Sequence, residues 1–265
     1  MISDPRFLLG ADPELFCVNK DGKYISAVGK FGGTKQKPKP MKTKGFFVQE
    51  DNVSVEFNIP PASSDEDFVR NISIALEEIE QRAKAKNLFL SITASASFKP
   101  DQLRSRASRL FGCDHDYNAW NMGRNPRPVS DDFTLRSCGG HEHLGWLDKP
   151  RNPWLFVRWL DLYQACPMIL VDKDQKRREL YGKAGAFREK PYGVEYRTLS
   201  NFWLSSPMLM KWLYAQATKA VDAYDAMPEY NLEEFQHPIN ACVNYGDMEA
   251  YNLLASKFDL QCPPA

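Results

Sequence analysis

LLGADPELF, residues 8–16, is an apolar strand sequence interrupted by two acids. Side chains at i and i+2 of a strand point to the same face, so Asp12 and Glu14 lie together. Burying a carboxylate costs roughly several kcal/mol unless it is paired or bound to a metal, so a strand interior does not collect acids without a reason. The pattern recurs three times. VSVEFNI (53–59) pairs Glu56 with Asn58, GGHEHLG (139–145) pairs His141 with His143, and GVEYRTL (193–199) pairs Glu195 with Arg197. Taken singly, each pair reads as a solvated face or a local ion pair. Together they would build a polar concavity that a hydrophobic core cannot tolerate, which points to a metal and phosphate site. Glu142, between the histidines, faces the other way and is not counted as a ligand.

Working outward from these strands gives the organisation. Phe7–Val18 and Lys23–Val28 read as strands joined at NKDG, where Asp21-Gly22 suits a tight turn. GKFGGTKQKPKPMKTKG, residues 29–45, mixes glycine, proline and six lysines and is expected to be a mobile loop. Strand character returns from Phe46 to Ile59 and stops at Pro60-Pro61. A helix follows, capped by Ser63 or Ser64, with Phe68, Ile72, Leu76 and Ile79 as its apolar stripe and an end near Asn87. The pattern then predicts a strand over Leu88–Phe98, a short basic helix over Gln102–Leu110 and a long loop over 111–131. A strand over Phe133–Trp146, a helix over Pro153–Val171, a strand over Val194–Leu199, and helices over Pro207–Ala226 and Met248–Phe258 complete it. Hairpin-linked strands with interspersed helices predict an α+β fold: a mainly antiparallel sheet, helices on one face, one domain over residues 1–265.

Composition limits the function. Lys+Arg and Asp+Glu are both 34 in 265 residues, so no global field steers the chain to nucleic acid or an anionic membrane. No apolar run reaches the length of a membrane span, and the amino terminus lacks the features of a signal peptide. Six cysteines without a CxxC pair suggest free thiols in a reducing cytoplasm.

The candidate ligands Asp12, Glu14, Glu56 and Glu195 are hard oxygen donors with imidazole in the minority. That set suits magnesium, with manganese as the alternative, better than structural zinc. RRELYGKAGAFREKPYG, residues 177–193, adds Arg177, Arg178, Lys183 and Arg188, with Gly182 and Gly185 allowing close backbone approach to a ligand. Carboxylate-held magnesium beside cationic side chains is equipment for nucleotide phosphate chemistry.

The ordered series GADPE (10–14), VEFNIPPASSDEDF (55–68), GGHEHLG (139–145) and VEYRTLSNFW (194–203) resembles the glutamine synthetase and glutamate-cysteine ligase superfamily, and within it the phage-encoded amidoligases. The resemblance covers roughly residues 8–205 and implies a glutamine synthetase-like fold, a curved sheet with helices outside and a concave active face. It implies ATP-dependent joining of a carboxylate to an amine through an acyl phosphate, in the cytoplasm of a host cell if phage-encoded. Asp12, Glu14, Glu56, His141 and Glu195 then hold magnesium, with Glu50 or Asp51 as companions of Glu56. Arg178, Lys183, Arg188, His143 and Arg197 face ATP, and Glu14, Glu195 and Arg197 act in catalysis. The implied partners are a carboxylate substrate and an amine acceptor, whether amino acid, peptide or protein terminus. Two other readings stand beside it: a metal-dependent hydrolase using the histidine pair, and a non-catalytic nucleotide or peptide binder.

Overall fold

The chain from Phe7 to Val18 is the spine of the molecule. The computed structural model, which describes residues 1–109, 115–128 and 130–264, shows this spine shared between two sheets. Its halves, β1 (Phe7–Ala11) and β2 (Glu14–Val18), are separated at Asp12-Pro13. Proline has no N–H to give to a ladder, so regular pairing breaks there. In chain order follow β3 (Tyr24–Ile25), β4 (Lys39–Pro40), β5 (Phe47–Asp51), β6 (Ser54–Asn58), β7 (Phe89–Ser91), β8 (Ser95–Ser97) and β9 (Tyr117–Asn118). The remaining strands are β10 (Gly123–Arg124), β11 (Leu135–Ser137), β12 (Glu142–Trp146), β13 (Ala186–Lys190) and β14 (Gly193–Tyr196). One sheet runs β1-β12-β14-β13-β9-β10; the other runs β3-β2-β6-β5-β4 with β7 also on β2; β11 pairs with β8. Every strand pairing among the described residues is antiparallel.

Backbone bonds stitch the sheets across the break. Ile59 N–H reaches Ala11 O at 3.2 Å and Phe57 N–H reaches Pro13 O at 3.3 Å, while Asp12 and Glu14 donate to His141 O and Gly139 O at 3.2 and 2.9 Å. Asp12 and Glu14 therefore sit on the seam of one curved surface.

The helices are α1 (Asp65–Lys84), α2 (Arg106–Arg109), α3 (Pro153–Leu160), α4 (Cys166–Met168), α5 (Arg177–Leu180), α6 (Pro207–Ala226), α7 (Gln236–Tyr245) and α8 (Met248–Phe258). Ser64 caps α1 by accepting the Asp67 N–H at 3.1 Å, a bond worth about 1 kcal/mol. Phe7, Leu9, Leu144, Val194 and Tyr196 turn one sheet face into the helical layer. There Phe7 stacks on Tyr214 of α6 at 5.5 Å and Trp146 meets Phe156 of α3 at 4.8 Å. Each such buried side chain contributes about 1.5–3 kcal/mol, which fixes the strand register and leaves the alternate residues for the opposite, polar face.

Several expectations need correction. Residues 29–45 carry more structure than a plain loop: Phe31 and Met41 are buried in the core and Lys39–Pro40 pairs with β5. Apolar anchors hidden among the lysines hold the segment. The strand expected over Leu88–Phe98 is two short strands, β7 and β8, and the one over Phe133–Trp146 is β11 and β12 divided at Gly139-Gly140. The helix over Pro153–Val171 widens into a π turn at Asp161–Ala165, just before Pro167, whose ring cannot donate to the preceding turn. The loop expected over 111–131 falls partly outside the described residues, as does Leu110 at the end of the basic helix. The described part carries the β9-β10 hairpin at a sheet edge, and α2 with a short 3-10 turn at Pro100–Leu103 stands where the basic helix was expected. Strand β13 and helix α7 were not anticipated. No described helix is long and apolar enough to cross a membrane.

Candidate active site at the seam of the two sheets

The polar face encloses a cleft of about 200 Å³ along the spine. Cross-strand register builds it. Glu14 stands opposite Glu56, which stands opposite Gln49; on the other sheet His143 stands opposite Glu195, which stands opposite Arg188. The paired glycines before His141 are a steric requirement. A Cβ on Gly139 would fall 2.2 Å from His141 Nε2, and one on Gly140 would fall 2.2 Å from Ser200 O. Gly139 N–H also donates to Glu14 Oε2 at 2.8 Å, tying the histidine strand to the acid strand.

Two ligand groups result. Single donor atoms of Asp12, His141 and Glu195 lie within 4.8 Å of one another, and so do those of Glu14, Asp51 and Glu56. Their electrostatics differ. In the first group burial opposes charge on Asp12, yet His143 and His141 outweigh it and hold the carboxyl well below the usual range. Burial likewise opposes Glu195, and Arg197 and Arg188 hold it below its ordinary value. Burial, reinforced by Arg197, pulls His141 down to about 4, so its ring is neutral and able to ligate. In the second group burial and the repulsion of Asp51 push Glu14 up to about 8. Burial and the neighbouring acids Asp12, Asp51 and Glu14 push Glu56 well above its usual value, and burial raises Asp51. Three hard-oxygen donors that repel one another within 4.8 Å are residues a divalent cation fits.

Cations line the far wall. Glu195 receives Arg188 at 3.0 Å, Lys190 at 2.6 Å and a short contact from Arg197. Arg197 also lies 3.3 Å from His141 Nδ1 and is steadied by Asp116 at 3.4 Å. Asp116 is in turn fixed by Asn125 Nδ2 at 3.0 Å. Asp116 escaped the sequence reading because its loop gave no period. Lys190 was missed because β13 was; once that strand is known, Lys190 follows from Arg188 at i+2.

The structure thus brings together Asp12, Glu14, Glu56, His141, Arg188, Glu195 and Arg197. Asp51 joins them as a companion of Glu56. Glu50 does not: its carboxylate accepts the backbone N–H groups of Gly29, Phe31 and Gly32 at 2.6–2.7 Å on the other face of β5. Arg178 and Lys183 are not brought to the cleft. Arg178 is half-buried and donates to the backbone oxygens of Gly182, Thr198 and Val243. Lys183 is exposed, and only its carbonyl is engaged, by the Thr198 hydroxyl at 3.1 Å. Arg177 is likewise a structural clamp on Cys138, Thr198 and Arg197 carbonyls. Glu142 points away, fully buried among the helices, and burial pushes its carboxyl up to about 8.

His143 stands apart from both ligand groups. Its Nε2 is 2.9 Å from Asp12 Oδ1 and its Nδ1 is 2.6 Å from the Tyr192 hydroxyl. Burial disfavours the imidazolium, but Asp12 outweighs burial and raises its pKa. It borders a second, mostly apolar cleft of about 430 Å³ whose walls include Leu8, Ile59, Pro61 and Tyr192. The two clefts share Asp12 and Asn58.

Comparison with known proteins adds three findings. No curated protein matches the chain. Among solved structures it is similar to GmaS without ligand (13% identity, TM-score 0.47, 95% of this chain and 64% of that one). It is also similar to a bifunctional glutathione synthetase from Pasteurella multocida (12% identity, TM-score 0.47, 97% of this chain). The chain spans 64% and 47% of the length of these two proteins. Residues 125–253 match the model of the family described as phage phiEco32-like COOH.NH2 ligase, type 2. That segment carries His141, His143, Arg188, Glu195 and Arg197, so the resemblance drawn from the strand motifs is borne out: over it the chain matches the phage-type carboxylate-amine ligases.

Proposed function

We propose that the chain is an ATP-dependent carboxylate-amine ligase of glutamine synthetase-like fold, forming an amide or peptide bond through an acyl phosphate. The observation that carries this reading is the pair of ligand groups, Asp12/His141/Glu195 and Glu14/Asp51/Glu56, on one cleft faced by Arg188, Lys190 and Arg197. Each group would hold a magnesium ion, or manganese, which when bound neutralises phosphate charge. Arg197, braced by Asp116, is placed to bind the oxygens of the transferring phosphoryl group, and Arg188 and Lys190 to hold the rest of the phosphate chain. The flat apolar cleft beside His143 and Tyr192 fits the nucleotide base. In the overall change the terminal phosphoryl group passes from ATP to a carboxylate oxygen, releasing ADP. The amine nitrogen then attacks the acyl carbon, phosphate leaves and the nitrogen sheds a proton.

A hydrolase built on the histidine pair is less well supported. Among the described residues His141 joins a ligand group, whereas His143 turns to Asp12 and Tyr192. A non-catalytic binder has no use for three mutually repelling acids, two of them buried. The test is ADP release with magnesium, ATP, and pooled carboxylates and amines. Wild type should turn over, and Glu14→Gln and Glu195→Gln should each lose about 100-fold or more, the order expected for removing a group that stabilises transition-state charge. Full turnover in either variant, or ATP-independent turnover with stoichiometric zinc, refutes the reading.

A further inference from the structure

The lysine-rich segment is hydrogen-bonded at its base and at its turn, and it reaches the cleft. Thr34 and Lys37 exchange backbone hydrogen bonds at 3.0 Å each way, leaving Lys35 and Gln36 as the two central residues of a tight turn. Of the segment's six lysines, Lys35 is the one that lines the cleft, as do Arg188, Lys190 and Arg197. Lys30 Nζ instead lies 3.5 Å from Val28 O, and Lys42 Nζ lies 3.5 Å from Gln81 Oε1.

The base of the segment is clamped. Glu50 accepts three N–H groups, from Gly29, Phe31 and Gly32, and these bonds to a charged acceptor are stronger than neutral ones. Gly29, Gly32 and Gly33 all have positive φ, which bends the backbone around that carboxylate. Gly33 is packed so tightly that a Cβ would fall 2.4 Å from Val48 O. Successive residues of a strand face opposite ways, so β5 sends Gln49 and Asp51 into the cleft and uses Glu50 between them to fix the segment. Lys35 is also the leading charge that offsets the burial of Asp51.

We propose that Lys35 is a further substrate-binding residue, contacting the terminal phosphate of ATP in the cleft it shares with Arg188, Lys190 and Arg197, and that Glu50 is the positioning residue that sets it there. This rests on the ligase reading given above. A cation set on a clamped turn reaches its target with little loss of conformational freedom, unlike a lysine on a free loop. The terminal phosphate is the one assigned because Lys35 lines the cleft that holds both ligand groups, its charge acts on Asp51 of the second group, and it is not part of the lining of the apolar cleft.

The experiment measures equilibrium binding of MgATP and of MgADP, by calorimetry, to wild type, Lys35→Ala, Lys35→Arg and Glu50→Gln. Lys35→Ala, at an exposed turn, should weaken MgATP about tenfold, the scale of one charge-assisted contact, and MgADP less than about twofold. Lys35→Arg should hold the ATP-to-ADP ratio within about twofold of wild type, and Glu50→Gln should reproduce the ATP-selective loss, which a merely structural role would not. Equal loss of both nucleotides, or no loss of MgATP, in Lys35→Ala overturns the proposal while leaving the ligase reading intact. A wild type that binds neither nucleotide overturns both.

Discussion

Replacing Glu14 by glutamine should stabilise the metal-free protein at neutral pH and cost it the response to magnesium. The carboxyl is buried and its pKa is raised from 4.5 to about 8 by burial and by Asp51. The folded state therefore binds the extra proton between those values. The penalty is absent below about pH 4.5, grows as pH rises, and levels off above about pH 8 where both states are ionised. At about pH 7.5 it amounts to roughly 4 kcal/mol, from three pH units at about 1.4 kcal/mol each. Glutamine is neutral at every pH and keeps an oxygen for the Gly139 N–H, but its amide hydrogens must be fitted among the Asp51 and Glu56 oxygens, at a cost of about 1 kcal/mol. The net expectation is near equality at about pH 5 and a gain of about 3 kcal/mol for the variant at about pH 7.5. Urea unfolding of chelator-treated protein at the two pH values measures this, repeated with saturating magnesium. With the metal the order should reverse, because binding to the folded state stabilises wild type and the variant has lost a ligand. A difference independent of pH, or equal stabilisation of both proteins by magnesium, refutes the reasoning.

Two further outcomes are expected. Manganese titration followed by its paramagnetic signal should resolve two affinities. The members of the Asp12/His141/Glu195 group are already deprotonated above about pH 5, so its binding should change only as His143 gives up its proton and releases Asp12, whereas binding to Glu14/Asp51/Glu56 should tighten towards about pH 8 with proton release. Gly139→Ala places a methyl 2.2 Å from the His141 ring, so it should cost about 1–3 kcal/mol of stability by overpacking and remove the manganese site of the Asp12/His141/Glu195 group, both read from unfolding and the same titration.

The candidate ligands were legible in the sequence because strand alternation is a local rule. Asp12, Glu14, Glu56, His141, Glu195 and Arg197 each stood two residues from another polar group in an apolar run, and the helical layer then fixed which face they occupy. The helices Pro207–Ala226 and Met248–Phe258 fall where the apolar pattern puts them, because cap and stripe are both local. What stayed hidden depended on distant partners. Arg178 and Arg188 look alike in RRELYGKAGAFREK, yet one is spent on three backbone carbonyls and the other faces Glu195. Glu50 and Asp51 are neighbours that β5 sends to opposite faces, and only the register with Glu56 and Val55 decides which one meets the metal group.

Pro13 explains why the acids gather at one place. A continuous strand from Phe7 to Val18 would carry Asp12 and Glu14 side by side on one sheet, with a partner strand on each flank. The missing N–H at Pro13 lets the chain change sheets between them, so Glu14 pairs with Glu56 while Asp12 reaches His141 and His143. Each acid is thereby given to a different ligand group, and the two groups differ in charge balance because they belong to different sheets. The sheet of β12–β14, with Arg197 just beyond it, brings Arg188 and Lys190 as well and keeps its acids ionised; the sheet of β5–β6 brings Asp51 and Glu56, whose burial outweighs the nearby cations and raises their pKa values. On the proposed reading the first group would grip phosphate between cations and a metal, and the second would need a metal before its charges can form.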